Sequence, residues 1–223
     1  KDNFLGKVKE ITHKNGALLV FDETCTGFRL SHGGAQELFG VTPDIATFGK
    51  GLANGYPLSA LVGKEEYMKV MKDIFFSGTF GGETLSLAAS KAVLEKIKRE
   101  NTLEHIKNLG HYLHEKLDQL IDELDARSLI TFTGHPTWSF LVFHDQNNTT
   151  SWDLKTFFMQ EIFKRGIFSI GSQTLSYAHT KTDIDKLLHA YKEVFSMMKD
   201  YVHDDNLLYK LECEPIKPLF TVR

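Results

Sequence analysis

Three short apolar runs in the first third of the chain are continuous instead of alternating with polar residues. They are Ala17–Phe21, Ile45–Phe48 and Leu58–Val62. A strand that is covered on both faces has this pattern, whereas a strand with one solvated face alternates. Helical spacing before the first run and glycine-rich loops between the runs favour a parallel or mixed α/β sheet.

A carboxylate and an ammonium follow the first two runs. Asp22 comes directly after the first run, and Lys50 follows the second run between Gly49 and Gly51. In open α/β sheets, ligands bind at the edge where the parallel strands end. Lysine forms Schiff bases with carbonyl compounds once its ammonium is deprotonated. The sequence therefore predicts a ligand site that uses both groups at this edge.

The pattern changes near residues 95–105, after which amphipathic helices mix with short strands. Helices are predicted near Leu85–Ile97, Leu103–Leu124, Trp152–Lys164 and Asp183–Tyr201, and strands at Leu129–Thr133, Trp138–Phe143 and Ile167–Ile170. Ser151 and Thr182 are the expected N-caps of the last two helices. We predict two domains: residues 1–100 as the C-terminal part of a large α/β domain, and residues 101–223 as a smaller α+β domain.

Composition and charge exclude several classes of function. The formal net charge is −3, without a basic block, so no nucleic-acid partner is expected. No apolar run has the length of a bilayer span and no signal-peptide pattern is present, so we predict no membrane partner. Cys25 and Cys213 lie far apart in sequence and indicate no disulfide framework, so reduced thiols in a cytoplasmic protein are expected. His105, His111 and His114 share a predicted helix, but exposed histidines are a better explanation than a metal site.

The arrangement of Asp22, Lys50 and a later loop suits a pyridoxal 5'-phosphate site. Such a site needs a lysine to tether the cofactor and an acid that favours the charged ring nitrogen. It also needs hydroxyl and amide donors for the phosphate. The loop Ser77–Gly82, with Gly78 and Thr79, precedes a predicted helix, whose amides are expected to be available for an anion. Taken singly, Asp22 has a simpler explanation as a strand-ending residue, and Lys50 as a surface lysine near a turn.

Several motifs resemble class III pyridoxal-phosphate aminotransferases, above all the glutamate-1-semialdehyde 2,1-aminomutase branch. The resemblance covers essentially the whole chain, and the motifs occur in the family's order. They are Phe21-Asp22-Glu23-Thr24-Cys25-Thr26-Gly27-Phe28-Arg29, Gly33-Gly34-Ala35-Gln36, Gly40-Val41-Thr42-Pro43-Asp44 and Phe48-Gly49-Lys50-Gly51. The resemblance implies the type I aminotransferase fold, with part of the large domain followed by the C-terminal small domain.

The resemblance also implies roles for single residues. Lys50 matches the lysine that forms the internal aldimine with the cofactor, and Asp22 matches the aspartate paired with the pyridine nitrogen. Thr24 takes the place of a residue that packs against the ring. Thr79 matches a threonine that reaches the cofactor phosphate of the neighbouring subunit, which implies a homodimer. Cys25 stands where many members have glutamine, and is expected to be a small buried residue.

The implied activity is transfer of an amino group on a small amino acid or amino-aldehyde, as an aminotransferase or a 2,1-aminomutase. Aminomutases usually carry a glutamate shortly before the Ala178–Thr180 segment, whereas Ile170–Thr174 contains no acid. The chain begins with Lys1 inside a predicted helix, so we expect the polypeptide to begin well upstream. Two alternatives remain open: a non-catalytic fragment that needs its missing N-terminal half, and a sugar aminotransferase.

Overall fold

The computed structural model describes residues 2–218, which divide into two compact units between residues 104 and 105. None of the helices in this described range is both long enough and apolar enough to cross a membrane. The first unit contains α1 (Phe4–Lys14), β1 (Val20–Asp22), α2 (Gly34–Phe39), β2 (Ile45–Phe48), β3 (Ala60–Gly63), α3 (Glu65–Met68) and α4 (Thr84–Glu100).

The sheet of the first unit is mixed. Its strand order is β1-β2-β3; β1 and β2 are parallel, whereas β2 and β3 are antiparallel. The parallel register sets Val20 opposite Ile45 and Asp22 opposite Thr47. The first two strands therefore end at the same edge of the sheet.

The strands of this sheet are more exposed than their sequences predict. Val20 is 53% exposed, and Leu61 and Val62 of β3 are 42% and 46% exposed. The expectation that the apolar runs are covered on both faces is therefore wrong for this chain taken by itself. The physical reason is size, because three strands and their short connecting helices cannot cover both faces of a sheet.

Asp44 ties three elements of the first unit together from the start of β2. Its side chain has no exposed surface, and its carboxylate accepts three hydrogen bonds. The donors are Lys64 Nζ at 2.6 Å, the Leu19 amide at 2.8 Å and His13 Nε2 at 2.8 Å. The Lys64 bond and then the Leu19 bond are the main reasons that the pKa of Asp44 lies well below its usual range.

The second unit packs three helices with an antiparallel sheet of order β4-β5-β6. Its elements are α5 (Thr102–Glu123, which begins just before the boundary), β4 (Ile130–His135), β5 (Trp138–Phe143), α6 (Ser151–Lys164), β6 (Ser172–Thr174) and α7 (Lys181–His203). One apolar core joins α5, α6, α7, β4 and β5. At its centre Tyr191 is fully buried, and burial raises the pKa of this phenol to about 12.

Three local predictions for this unit are wrong. The segment Ile167–Ile170 is a loop, and the strand forms at Ser172–Thr174 instead. The N-caps are Thr150 and Thr180, each in a capping box with an aspartate three residues later. In each case the threonine one or two residues before the predicted cap is the N-cap. Its hydroxyl accepts a hydrogen bond from the aspartate amide, and the aspartate side chain accepts one from the threonine amide.

Two of the helix histidines are less exposed than predicted. His105 is half-buried, and its Nε2 lies 3.0 Å from the carbonyl of His179. His114 packs against the Phe132 ring, and its buried Nε2 has no hydrogen-bond partner within residues 2–218. Burial is the main cause of the lowered pKa of His114, and it favours the neutral ring.

Replacing Gly110 by alanine is expected to destabilise the chain by about 2 kcal/mol, because overpacking in a filled site forces backbone shifts. Gly110 is buried on α5, and a Cβ there would overlap the carbonyl of Pro136 in the β4–β5 turn. Helix propensity alone predicts the opposite sign, since alanine is favoured over glycine by about 1 kcal/mol. Denaturant unfolding of Gly110→Ala and of Asn108→Ala, an exposed control on the same helix, separates the two effects.

Candidate active site

The candidate site lies where β1 and β2 end side by side. Asp22 is the last residue of β1, and Lys50 comes two residues after the end of β2. The parallel pairing sets Asp22 opposite Thr47, whose hydroxyl donates to Asp22 Oδ1 at 3.2 Å. The edge predicted from the sequence is therefore formed, with the acid and the lysine on adjoining strand ends.

The environment of Asp22 keeps its carboxylate ionised. The Thr24 amide donates to Oδ1 at 3.0 Å. Hydrogen bonds from the Thr24 hydroxyl and amide, and then from Thr47, hold the pKa of Asp22 below its ordinary value. The Lys50 ammonium acts in the same direction with a smaller effect on the pKa of Asp22.

Lys50 occupies a strained position in the backbone. Gly49 before it is extended, and Lys50 opens a short 3₁₀ turn (Lys50–Leu52) with φ of 40°. Residues other than glycine rarely adopt this left-handed conformation, and such strain is concentrated at functional sites. The side chain is exposed, and its Nζ donates to Cys25 Sγ at 2.5 Å.

The turn after β1 is held rigidly beside the end of β2. Glu23 is buried, and its carboxylate accepts from the Thr26 hydroxyl and from the amides of Ala35 and Gln36 at 2.8 Å each. A Cβ added to Gly49 would lie 3.1 Å from the Thr24 methyl group. Asp22, Thr24 and Lys50 are thus brought to one place, as the sequence predicts.

The loop before α4 differs from its prediction. The amides of Leu85 and Ser86 in the first turn of α4 donate to the Glu83 carboxylate at 2.8 and 2.7 Å. The expectation that these helix amides are available for an anion is therefore wrong, because Glu83 is the N-cap and occupies them. Gly78 and Thr79 lie in the exposed part of this loop, and their assignment to the cofactor phosphate stays a prediction.

The sequence does not predict two hydrogen bonds of the site, one made by Thr47 and one by Cys25. Thr47 hydrogen-bonds Asp22, and the strand register would have revealed it once the two runs were paired in parallel. Cys25 was expected to be merely a small buried residue, but it is partly exposed and is the hydrogen-bond acceptor of Lys50. The pattern carried no signal for this contact, because it depends on how the turn after β1 folds back.

Lys50→Gly is expected to be more stable than Lys50→Ala by about 1–2 kcal/mol, because alanine keeps the left-handed strain that glycine relieves. The positive φ at Lys50 is the observation behind this difference. Thermal unfolding of the two variants measures it. Equal stabilities would show that the backbone is not strained at this position.

Comparison with known proteins decides the family. A profile of the aminotransferase class-III family matches residues 1–182. The chain belongs to this family. Among curated relatives of this class-III chain, 3-aminobutyryl-CoA aminotransferase of Cloacimonas acidaminovorans is 34% identical over 202 residues, which are 89% of this chain and 48% of the relative. Glutamate-1-semialdehyde 2,1-aminomutase of Sulfurihydrogenibium azorense is also 34% identical, over 86% of this chain and 48% of the relative.

Solved structures agree with the predicted fold. The pyridoxal-phosphate internal-aldimine form of the FumI protein of a Sphingopyxis species has a TM-score of 0.78 at 26% identity, over 87% of this chain and 46% of that one. An omega-transaminase of Sphaerobacter thermophilus has a TM-score of 0.81 at 22% identity, over 89% of this chain and 48% of that one. The predicted family and the partial type I aminotransferase fold are confirmed, and pyridoxal 5'-phosphate is the cofactor of the family. This class-III chain spans about half the length of the curated relatives that it matches.

Proposed function

We propose that the protein uses pyridoxal 5'-phosphate, held by Lys50, to transfer an amino group on a small amino acid or amino-aldehyde. The observation that supports this best is the convergence of Asp22 and Lys50 on adjoining strand ends, with an electrostatic interaction between them. Membership of the aminotransferase class-III family gives independent support.

The residues of the site suit this cofactor. A site for its ring needs an ionised acid to favour the charge of the ring nitrogen, and Asp22 is kept ionised by Thr24 and Thr47. It also needs an amine that can reach the aldehyde, and the Lys50 side chain is exposed at the same edge. The Thr24 methyl group lies beside Gly49, where it can pack against the face of a flat ring.

When bound, the cofactor supplies an aldehyde for capture of amines and a ring that withdraws electrons from the substrate carbon. Lys50 would hold the cofactor through its amine. The Nζ of Lys50, when free, would take a proton from one substrate carbon and return it to another. Asp22 would supply the negative charge that favours a protonated ring nitrogen.

Transfer between two molecules is favoured over the aminomutase reaction. The stretch Ile170–Thr174 lacks the acid that aminomutases usually carry there. Gln173 in this stretch is buried and committed to the core, since its side chain bonds the hydroxyls of Ser139 at 3.1 Å and Tyr191 at 3.1 Å. Relatives of both kinds are similar to this chain, so the comparison does not favour either reaction.

The assembly follows from the resemblance and the location from the cysteine pattern, and both belong to the same proposal. We expect a homodimer in which Thr79 reaches the cofactor phosphate of the neighbouring subunit, and a cytoplasmic location. Support for an interface here comes from exposed aromatic residues in the Ser77–Gly82 loop and just before it: Phe75 is 96%, Phe76 74% and Phe80 59% exposed. Apolar surface of this kind marks interaction sites.

The proposal is tested by supplying the full chain with pyridoxal 5'-phosphate, a panel of small amino donors and a 2-oxo acid, and by measuring the new amino acid. We expect transfer by the wild type and by Lys69→Ala, an exposed lysine that pairs with Glu65 four residues earlier. We expect none from Lys50→Ala. Turnover by Lys50→Ala, or a folded wild type that never binds the cofactor, would contradict the proposal and favour the non-catalytic alternative. A second arm with glutamate 1-semialdehyde as the sole substrate tests the aminomutase reaction.

A further inference from the structure

Two nucleophilic side chains touch beside the candidate site. Cys25 Sγ and Lys50 Nζ are 2.5 Å apart and come from different elements, the turn after β1 and the 3₁₀ turn after β2. Both are fixed by their backbones. The Gly27 amide donates to the Glu23 carbonyl at 2.8 Å, and the Asn54 amide donates to the Lys50 carbonyl at 3.0 Å.

The surroundings of this pair favour attack by a small oxidant. Cys25 is partly exposed and Lys50 is exposed, so a hydroperoxide has access to the sulfur. Arg29 also interacts electrostatically with Cys25, and Lys50 is in direct contact with the same sulfur. A thiol next to cations and open to solvent is the kind that is oxidised selectively.

We propose that Cys25 and Lys50 form a reversible covalent cross-link, a sulfenamide, when the chain meets a hydroperoxide. The pair is a modification site as well as a part of the candidate active site. Because the lysine is the one that would hold the cofactor, the cross-link blocks cofactor attachment, a consequence that depends on the proposed function.

The chemistry has two steps. The Cys25 sulfur attacks the hydroperoxide, so an S–O bond forms, the O–O bond breaks and an alcohol or water leaves. The sulfur loses two electrons, the peroxide gains them, and the product is a sulfenic acid. The Lys50 ammonium first gives up one proton to the solvent, and its neutral amine then attacks this sulfur. An N–S bond forms, the S–O bond breaks, and one amine proton leaves with the hydroxyl group as water.

Reversal needs only a thiol. An external thiolate attacks the Cys25 sulfur, an S–S bond forms and the S–N bond breaks, which returns Lys50 as a free amine. A second thiol then reduces the mixed disulfide. The cross-link also protects Cys25, because a captured sulfenic acid is not oxidised further to the irreversible sulfinic acid.

The experiment treats the full chain, freed of cofactor, with hydrogen peroxide and then maps its peptides by mass spectrometry. We expect the Cys25 and Lys50 peptides to appear joined, with the mass of two hydrogen atoms less than their sum, and to separate after dithiothreitol. Cys25→Ser and Lys50→Arg each abolish the joined species, whereas Cys213→Ser, at the other and exposed cysteine, does not. Circular dichroism checks that each variant is folded.

The second arm of the experiment tests whether bound cofactor prevents the cross-link. If the chain is loaded with pyridoxal 5'-phosphate before peroxide, the amine is occupied and the joined species is expected to fall to background. Oxidation of Cys25 to sulfinic acid without a joined peptide, or joining of Cys25 to another lysine, would overturn the proposal. A chain that cross-links when free of cofactor but never binds pyridoxal 5'-phosphate would contradict the proposed function and leave the cross-link established.

Discussion

Asp22→Asn is expected to lower the rate of amino transfer by about 10²- to 10³-fold, the usual loss when a preorganised electrostatic partner is removed. The physical reason is charge. Asp22 is held ionised by Thr24 and Thr47, and asparagine cannot balance a positive ring nitrogen. Single-turnover kinetics with an amino donor measures the loss, and the absorption spectrum of the bound cofactor reports the protonation state of the ring.

The matched control for this variant is Asp22→Glu, which keeps the charge and moves it by one methylene group. We expect it to recover a large part of the lost rate, whereas a purely structural role would not depend on charge. Both variants should fold normally, because Asp22 is exposed at the edge of the sheet. An Asp22→Asn protein with an unchanged rate would show that this acid does not act on the cofactor.

Asp44→Asn is expected to lower the free energy of unfolding by about 3 kcal/mol, since it removes a buried charge that accepts several hydrogen bonds. The asparagine amide would face one of three donors, which are Lys64, His13 and the Leu19 amide. The links of β2 to α1, β1 and β3 weaken together. Urea denaturation of the variant beside the wild type measures the change.

The contribution of Asp44 to the free energy of unfolding is expected to depend on pH. The pKa of Asp44 is lowered in the folded chain, so its contribution is fully present above its unfolded pKa of about 3.9 and is lost as the pH falls through the folded pKa. Asp44→Asn should therefore lower the free energy of unfolding most near neutral pH and only slightly in strong acid. The control is Asp125→Asn, at an exposed pair with Lys199 3.3 Å away, where a change below about 1 kcal/mol is expected. Equal losses for the two variants would contradict the structural role of Asp44.

The candidate site was predictable because its parts are local in the sequence. A continuous apolar run followed by Asp22, and another followed by Lys50, specify two strand ends, and parallel pairing brings them together. The family motifs added the identity of the cofactor. The lengths of the strands were less predictable: the run from Ala17 gives only three paired residues, Val20–Asp22.

The sequence could not show contacts between residues that are distant along the chain. The hydrogen bond from Lys50 to Cys25 joins two turns 25 positions apart, and the carboxylate of Asp44 accepts from donors in three separate segments. Glu83 is one residue before α4 and could have been recognised as a cap that competes for the helix amides. The burial of the apolar strands was overestimated, because the pattern indicates which residues prefer burial and not which part of the chain covers them.

The central claim is that Lys50 holds the cofactor covalently, and chemical trapping tests it most directly. The full chain is loaded with pyridoxal 5'-phosphate, reduced with borohydride and digested, and the peptides that carry the reduced cofactor are sequenced. We predict one modified residue, Lys50, and no modified peptide from Lys50→Ala. A cofactor attached to any other lysine of the wild type would contradict the assignment.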